Sequence, residues 1–413
     1  MPIRLTAAEK RLAKRLAEIK KKSGSHSPSP AMLRDIAGAT VKHDFCFLSN
    51  SHATDLFLKY WKRNLGNIKR LRKLIELYPS QNRTLAEKLA HSLLLKGALP
   101  SSAGGMSTTP DLADSATPFL KGDNIFVGNG ATEVIQAVLH NFSGRKILVP
   151  VPTFSPYLEF VPKGVKIILH RLEKRKDFRL DIHTLLAQVK KEKPDTVVII
   201  NPNNPDGGFV SARNVRLFLT QLKRIQTVIL DESFIHFANT STRVLQGSAR
   251  LVREFPNLAV IKSLSKDFGI AGLRLSYGVM SEKRVSSLLE NGYLWNVSGF
   301  GEYFLNLLNN RGFMEEYEKA RLLAIRERDV FFMQLSTLKD IKVYPSSANL
   351  FLVELLDGST ANNLTVRLLA RYGIYIRSCG DKVGLRGEFF RIASRKRAEN
   401  NALIAALTDI FSQ

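Results

Sequence analysis

The sequence has few cysteines, and it lacks long apolar runs. Its 413 residues include only 2 cysteines, Cys46 and Cys379, which are far apart and are expected to be reduced core or site-wall residues rather than a disulfide. No apolar run approaches the ~18 residues that a membrane-spanning helix needs. These absences argue against a disulfide-stapled secreted domain and a membrane protein, and they favour a cytoplasmic location.

Acidic residues are also scarce relative to basic ones. The chain has 37 Asp and Glu against 61 Lys and Arg, which gives a formal net charge of +24. A positive field can steer phosphorylated or carboxylated substrates towards a site. The same charge also fits binding to nucleic acid or a plain solvated surface, so composition leaves these interpretations open.

The segment SLSKDFGIAGLR, from Ser263 to Arg274, places Lys266 after the apolar, β-branched stretch NLAVIKSLS. This stretch predicts a strand, and the glycines that follow predict a turn into another apolar run. A lone lysine is usually a solvated charge. At the end of a buried strand, however, it is costly unless it is neutral, paired or covalently used, for example in a Schiff base with a carbonyl cofactor. Pyridoxal phosphate is the best-known cofactor of this kind.

A site for a cofactor phosphate is predicted where DNIFV gives way to GNGATEVIQAVL. Glycines break the chain before a run with helical spacing, so a helix N-terminus with free amides is expected there, although an ordinary strand-to-helix turn would look the same. Further donors are predicted from the lysine segment, where arginine suits phosphate better than lysine. The candidate phosphate ligands are Gly130, Ala131, Thr132, Ser263, Ser265 and Arg274.

Two other strand ends offer groups for a pyridine ring. Asp231 ends the apolar run of TVILDESFIHF, where a carboxylate can keep a ring nitrogen protonated or simply cap a helix. Asn204 follows the strand-like DTVVII within the turn NPNNPDGG, in which Pro205 and Gly207 fix the backbone. We expect Asn204 to donate to the ring oxygen.

Taken in order, GNGATE, PTF, NPNNPDG, DES and SLSK…GLR resemble the class I/II aminotransferases, which are pyridoxal-phosphate enzymes of fold type I. The chain looks most similar to the branch of histidinol-phosphate aminotransferases and threonine-phosphate decarboxylases. It also resembles the aminotransferase-like domains of nucleotidyltransferase fusions, through FLSN…ATDLF and LWNV. The resemblance implies an α/β fold, with a large domain built on a mixed, mostly parallel seven-stranded sheet and a smaller α+β domain.

The resemblance also implies roles for individual residues. Lys266 would carry the cofactor, Asp231 would pair with its pyridine nitrogen, and Asn204 would meet its ring oxygen. Phe154 of VPTFSPY would stack on the ring. No residue is assigned to a metal.

Three further residues are implied at the substrate side. Arg391 of EFFRIAS would grip a substrate carboxylate as a two-point fork, and Asn296 of LWNV would also bind substrate. Tyr78 of ELYPS would reach the cofactor phosphate of a neighbouring subunit, which implies a homodimer with shared sites.

The expected function is that of an aminotransferase, the commoner activity of the superfamily, acting on a small, phosphorylated or anionic amino acid or amine and a 2-oxo acid. The alternative is a decarboxylase of the threonine-phosphate type. Phe234, where many aminotransferases have tyrosine, favours that alternative, as do Phe154 at the stacking position and the segment IRSCGDKVGLRGEFFR. Asp206 is a further departure, since it adds a charge in a turn that usually reads proline-threonine-glycine.

Other functions and partners fit less well. A nucleic-acid-binding regulator with an aminotransferase-like domain is a remote alternative, because too few residues precede the matched region for a winged-helix module. An acyl-transferring member of the fold would usually have histidine where this chain has Phe154. We therefore expect no nucleic acid and no membrane partner, and a nucleotidyltransferase is a possible pathway partner.

The chain divides into four predicted parts. Residues 1–30 form a basic amphipathic extension and linker, and 31–122 form the N-terminal part of the small domain, with a mobile loop at 99–120. Residues 123–296 form the cofactor-binding domain, and 297–413 complete the small domain. The extension has apolar residues on one helical face and is expected to pack or to be solvated, since its glutamates argue against organelle import. The apolar residues are Leu5, Leu12, Leu16 and Ile19, and the glutamates are Glu9 and Glu18.

Overall fold

The computed structural model describes residues 2–23, 28–96, 120–241, 245–293 and 295–412. The predicted mobile loop at 99–120 lies outside the described residues, apart from Leu120. The α-helices are α1 (Ala7–Ser23), α2 (Pro30–Ala37), α3 (Ser51–Leu65), α4 (Ile68–Glu76), α5 (Asn82–Ala90), α6 (Leu93–Lys96), α7 (Ala131–Phe142), α8 (Pro156–Glu159), α9 (Ile182–Glu192), α10 (Ala212–Gln221), α11 (Leu264–Asp267), α12 (Glu282–Glu290), α13 (Gly299–Leu307), α14 (Arg311–Leu335), α15 (Ala361–Tyr372) and α16 (Arg397–Phe411). The β-strands are β1 (His43–Asp44), β2 (Ile125–Gly128), β3 (Lys146–Val151), β4 (Lys166–Arg171), β5 (Thr196–Ile200), β6 (Thr227–Asp231), β7 (Leu258–Ser263), β8 (Ser276–Val279), β9 (Ile341–Val343), β10 (Leu350–Leu355), β11 (Ile374–Tyr375), β12 (Arg377–Ser378) and β13 (Phe389–Ala393).

The larger sheet has 7 strands in the order β2-β8-β7-β6-β5-β3-β4. Strands β3 to β7 run parallel to one another, whereas β8 is antiparallel to both β2 and β7. Every residue of β5, β6 and β7 is buried, which is typical of a parallel sheet covered on both faces. This architecture confirms the predicted α/β fold and its mixed, mostly parallel sheet.

The smaller sheet has 4 antiparallel strands in the order β12-β13-β10-β9. Its apolar core includes residues of α14, α15 and α16. A short parallel pair joins β1 to β11, with His43 opposite Ile374. This pair brings the segment around Cys46 beside the C-terminal part of the chain.

The parallel strands of the larger sheet end together at one edge. Ile200, Asp231 and Ile261 are neighbours across β5, β6 and β7. Ser263, at the end of β7, pairs with Ser276, which also pairs with Gly128, the last residue of β2 and three positions before the start of α7. Ligands of open α/β folds bind at this kind of edge, so the register places the predicted site residues where a cofactor can reach them.

The predicted N-terminal helix is present as α1, and it packs against the rest of the chain. Ile19 is fully buried, and Leu12 and Leu16 pack against the same cluster, which includes Leu369 and Tyr375. The Lys- and Arg-rich faces remain towards solvent, as expected for an amphipathic surface helix. Across the described ranges, no helix combines the length and the apolar character needed to cross a membrane.

Candidate active site

A cavity of about 210 Å³ lies at the carboxyl edge of the larger sheet. It brings together groups from the sheet, from α7, from the segment around Cys46 and from the C-terminal strands. The predicted residues that line it are Ala131, Thr132, Phe154, Asn204, Asp231, Ser263, Ser265, Lys266, Arg274 and Arg391.

Lys266 lies in the single helical turn α11 that follows β7. Burial and, to a smaller extent, the nearby charges of Arg391 and Arg274 lower the pKa of its amine to about 8. The backbone amide of Asn50 donates to the Lys266 carbonyl over 2.9 Å and holds the turn in place. An amine with this pKa has a neutral fraction near pH 7, which Schiff-base formation requires.

Asp231 is held at the end of β6 by two donors. Tyr157 donates from Oη to Oδ2 over 2.8 Å, and the backbone amide of Ser233 donates to Oδ1 over 2.9 Å. Burial raises the pKa of the Asp231 carboxyl. Tyr157 was not predicted as a site residue, although it lies three residues after Phe154 in the same motif.

The first turn of α7 and Arg274 together form a candidate anion site. Gly130 caps the helix with φ +82°, and a Cβ at this position would clash with the Arg274 guanidinium. Only glycine therefore lets the guanidinium approach the free amides. Ser265 Oγ is buried, and it has no hydrogen-bond partner within the described part of the chain. A phosphate would supply the missing acceptor.

Arg391 connects the smaller sheet to the cavity. On β13, it donates from Nη1 to Oδ1 of Asn204 over 2.9 Å and from Nη2 to the carbonyl of Cys46 over 2.7 Å. Its Nε is buried and has no hydrogen-bond partner among the described residues. The bond to Asn204 occupies the amide oxygen, which leaves the amide N–H groups available for a ring oxygen.

Two cationic residues that were not assigned from the sequence also line the cavity. Lys382 donates from Nζ to Ser155 Oγ over 2.6 Å, and burial lowers its pKa to about 8. Arg377 donates from Nη2 to Asp381 Oδ2 over 2.6 Å. Both belong to the segment IRSCGDKVGLRGEFFR. Its basic residues and glycines were the sequence signal that could have indicated an anion-binding loop.

Tyr78 and Asn296 lie elsewhere. Tyr78 is 86% exposed, and its ring centroid is 5.8 Å from that of Trp295. The Asn296 amide donates to the carbonyl of Val127 over 3.1 Å and to Glu133 Oε2 over 2.6 Å, beside the first turn of α7. Within the described residues, neither side chain lines the cavity, so their roles stay predictions.

The two departures noted in the sequence have different positions. Phe234 is buried and lines the cavity, where its ring offers no hydrogen bond. Asp206 lies within its own turn, where it contacts the side-chain amide of Asn203 and accepts from the backbone amide of Gly208 over 2.7 Å. Burial raises its pKa to about 7.

The polar groups of the cavity fit pyridoxal phosphate. The unpartnered hydroxyl of Ser265, the Arg274 guanidinium and the amides of α7 suit its phosphate. Asp231 is a buried carboxylate that would gain a positive partner from the pyridinium nitrogen, and Lys266 faces the same space. The residues that line the cavity therefore fit this cofactor, while their individual roles towards it stay predictions.

Comparisons with known proteins agree with this geometry. Residues 98–407 match the family model described as aminotransferase class I and II. The chain is 45% identical, over 415 residues and 100% of both chains, to an L-serine phosphate decarboxylase from Campylobacter jejuni. The solved structure of a decarboxylase from Sulfurospirillum multivorans is 38% identical, with a TM-score of 0.83 over 98% of this chain and 99% of that one.

A more distant structure shows the shared fold alone. Histidinol-phosphate aminotransferase from Sinorhizobium meliloti, solved in complex with pyridoxal 5'-phosphate, is 18% identical, with a TM-score of 0.69 over 94% of this chain and 96% of that one. Because the family model spans most of the chain and the Campylobacter relative spans all of it, this protein belongs to the class I and II aminotransferase family of pyridoxal-phosphate-dependent enzymes.

Proposed function

We propose that the protein decarboxylates L-serine phosphate, releasing carbon dioxide and leaving ethanolamine phosphate. The observation that carries this proposal is the 45% identity to an L-serine phosphate decarboxylase across the whole of both chains. From the sequence alone, an aminotransferase was expected, with a decarboxylase as the alternative. The relatives support the alternative better, since the Sulfurospirillum structure with a TM-score of 0.83 is also a decarboxylase.

The charges of the cavity suit a phosphorylated amino acid. L-serine phosphate carries a carboxylate and a phosphate, and the cavity has three basic side chains apart from Lys266 and Arg274, namely Arg377, Lys382 and Arg391. Arg391 suits the carboxylate, because its planar fork can make two parallel hydrogen bonds. Lys382 and Arg377 would then face the phosphate, at the part of the cavity formed by Ser155.

Pyridoxal phosphate, when bound, supplies an electron sink that accepts the electron pair of a bond broken at Cα. The chain's own groups prepare and complete that step. Asp231 would pair with the pyridine nitrogen, and Tyr157 and Ser233 hold the carboxylate in place for that contact. After carbon dioxide leaves, the Lys266 ammonium group can donate a proton to Cα, and its pKa of about 8 makes both protonation states accessible.

Substrate orientation decides between decarboxylation and transamination. Arg391 and Lys382 would hold the two ends of the substrate, so together they would set which bond at Cα is placed to break. Because the ring of Phe234 offers no hydrogen bond, Asn204 is the protein donor that we assign to the ring oxygen.

The proposal includes a homodimer in the cytoplasm. Among the described residues, no side chain of α4 is buried. Ile75 of α4 is exposed, as are Leu77 and Tyr78, which follow the helix, and Trp295, whose ring lies beside that of Tyr78. A second copy that covers this surface would also bring Tyr78 to a neighbouring site. Cys46 and Cys379 are buried thiols that form no disulfide, which suits a reducing compartment. A nucleotidyltransferase remains a predicted pathway partner.

Steady-state assays of the pyridoxal-phosphate-loaded protein test the function. L-serine phosphate, L-threonine phosphate and histidinol phosphate would each be supplied with and without a 2-oxo acid, and products would be identified by mass spectrometry. We expect ethanolamine phosphate from L-serine phosphate, at a rate independent of the 2-oxo acid. Turnover that requires the 2-oxo acid would show an aminotransferase instead.

A further inference from the structure

The N-terminal helix α1 approaches the segment that carries Lys382. Near its C-terminal end, Lys20 Nζ lies 3.9 Å from Asp381 Oδ1. Farther back, the buried Glu9 carboxylate lies 2.7 Å from Nε of Arg367 on α15. Together with buried Ile19, this ion pair fixes the helix against the smaller domain. The position of Lys20 is therefore set by a packed helix.

Asp381 pairs with two cationic side chains and directly precedes a third cationic residue in the sequence. Its Oδ2 accepts from Arg377 Nη2 over 2.6 Å, its Oδ1 faces Lys20, and the next residue along the chain is Lys382. The turn is tight, since the Lys382 amide donates to the Cys379 carbonyl over 2.9 Å. Asp381 thus faces Arg377 and α1 while Lys382 reaches Ser155.

A groove of about 300 Å³ borders this cluster. Lys20, Asp381 and Glu159 line it, and it shares Ser155 and Lys382 with the active-site cavity. Lys20 is 40% exposed, so it presents a positive charge on the rim next to the proposed phosphate subsite. Arg377 also lines a separate cavity of about 230 Å³ beneath Leu16 and Lys20 of α1, which places its guanidinium between the helix and the active site.

We propose that Asp381 is a positioning residue for the substrate phosphate, and that Lys20 supports it from the N-terminal helix. Asp381 holds the guanidinium of Arg377 and fixes the turn that presents Lys382. Through Lys20 of α1, the N-terminal extension thereby contributes to substrate specificity. This inference rests on the proposed decarboxylation of L-serine phosphate.

The direction in which KM changes in Asp381→Asn distinguishes a positioning role of Asp381 from a purely electrostatic effect of its charge. Asp381 is an anion close to a site for an anion, so Asp381→Asn removes a repulsion. If charge alone mattered, KM for L-serine phosphate would fall. If Asp381 positions Arg377 and Lys382, KM rises about tenfold while kcat changes less than about twofold. Asp381→Glu, which keeps the acceptor, should recover part of the loss.

Lys20→Ala is the second variant, with Lys14→Ala as its control. Both lysines lie on α1, and Lys14 is exposed, so the two substitutions remove the same charge from the same helix. We expect Lys20→Ala to raise KM by about threefold, as a partly exposed ion pair would, and Lys14→Ala to leave KM unchanged. Inhibition by inorganic phosphate should weaken in parallel with each rise in KM.

The outcomes distinguish the two proposals. A wild-type enzyme that releases no carbon dioxide from L-serine phosphate would overturn the proposed function and this inference with it. An active wild type with an unchanged or lower KM in Asp381→Asn would overturn the positioning role alone. If Asp381→Asn does not fold, Lys20→Ala decides, and equal KM values for Lys20→Ala and Lys14→Ala would refute the inference.

Discussion

Tyr157 donates a hydrogen bond from Oη to Oδ2 of Asp231 over 2.8 Å, and both side chains are buried. Burial raises the pKa of the Tyr157 hydroxyl well above its ordinary value, and the Asp231 charge raises it further, so the hydroxyl remains a donor at any working pH. The bond fixes the carboxylate that we assign to the pyridine nitrogen.

Tyr157→Phe should therefore weaken cofactor binding. Loss of one hydrogen bond to a charged acceptor corresponds to about a tenfold higher Kd for pyridoxal phosphate. Equilibrium titration of the visible absorbance measures this Kd. Tyr293→Phe is the control, because Tyr293 packs edge-on against Phe126 in the same core cluster. Equal Kd values for both variants and the wild type would contradict the role of Tyr157.

Arg391→Lys should impair substrate binding more than cofactor binding. Lysine keeps the charge but loses the planar fork, so KM for L-serine phosphate should rise at least ~10-fold. Arg395→Lys is a matched control, because Arg395 pairs with Glu399 at 3.2 Å. If KM in Arg391→Lys stayed close to that of the wild type, a residue other than Arg391 would bind the substrate carboxylate.

Because the pKa of Lys382 is lowered, we expect substrate binding to depend on pH. Burial lowers its pKa to about 8, so the ammonium group is present below that pH and is lost above it. KM for L-serine phosphate should therefore rise between about pH 7 and pH 9.5. In Lys382→Arg the guanidinium stays protonated, and KM should rise less over this range. Lys266 titrates in both proteins, so the difference between their profiles reports on Lys382; identical profiles would refute the assignment.

Because the pKa of buried Asp206 is raised, we expect the free energy of unfolding to depend on pH. Burial raises its pKa to about 7, whereas in the unfolded chain it titrates near its ordinary value. The folded state holds the proton longer, so the contribution of Asp206 to the free energy of unfolding falls as pH rises from about 4 to about 7 and stays low above that. Asp206→Asn should lose less Tm than the wild type between about pH 5 and pH 8. An equal loss of Tm would show that Asp206 is ionised in the folded protein.

Several site residues could be placed from the sequence because each follows a recognisable buried strand. Asn204 and Lys266 follow β5 and β7, Asp231 is the last residue of β6, and parallel strands end at one edge. Gly130 was recognisable because a glycine before a helical run indicates a free N-terminus. In these cases, local pattern and sheet geometry were sufficient.

Other contacts could not be predicted, because they depend on tertiary packing. The carbonyl of Cys46 meets Arg391 only because β1 pairs with β11, and a backbone acceptor has no sequence signature. Lys382 reaches Ser155 across 227 positions of sequence. The N-terminal helix was predicted from its apolar spacing, but its contact with Asp381 follows from the docking of α1 on the smaller domain.

The most direct measurement is a single turnover with L-serine phosphate labelled in its carboxyl carbon, with the released gas trapped and the visible spectrum followed. The account predicts that the label appears as carbon dioxide, that ethanolamine phosphate forms in equal amount, and that the enzyme returns to its starting spectrum without a 2-oxo acid. Label retained in a 2-oxo acid, with loss of the visible band, would show transamination and contradict the proposed function.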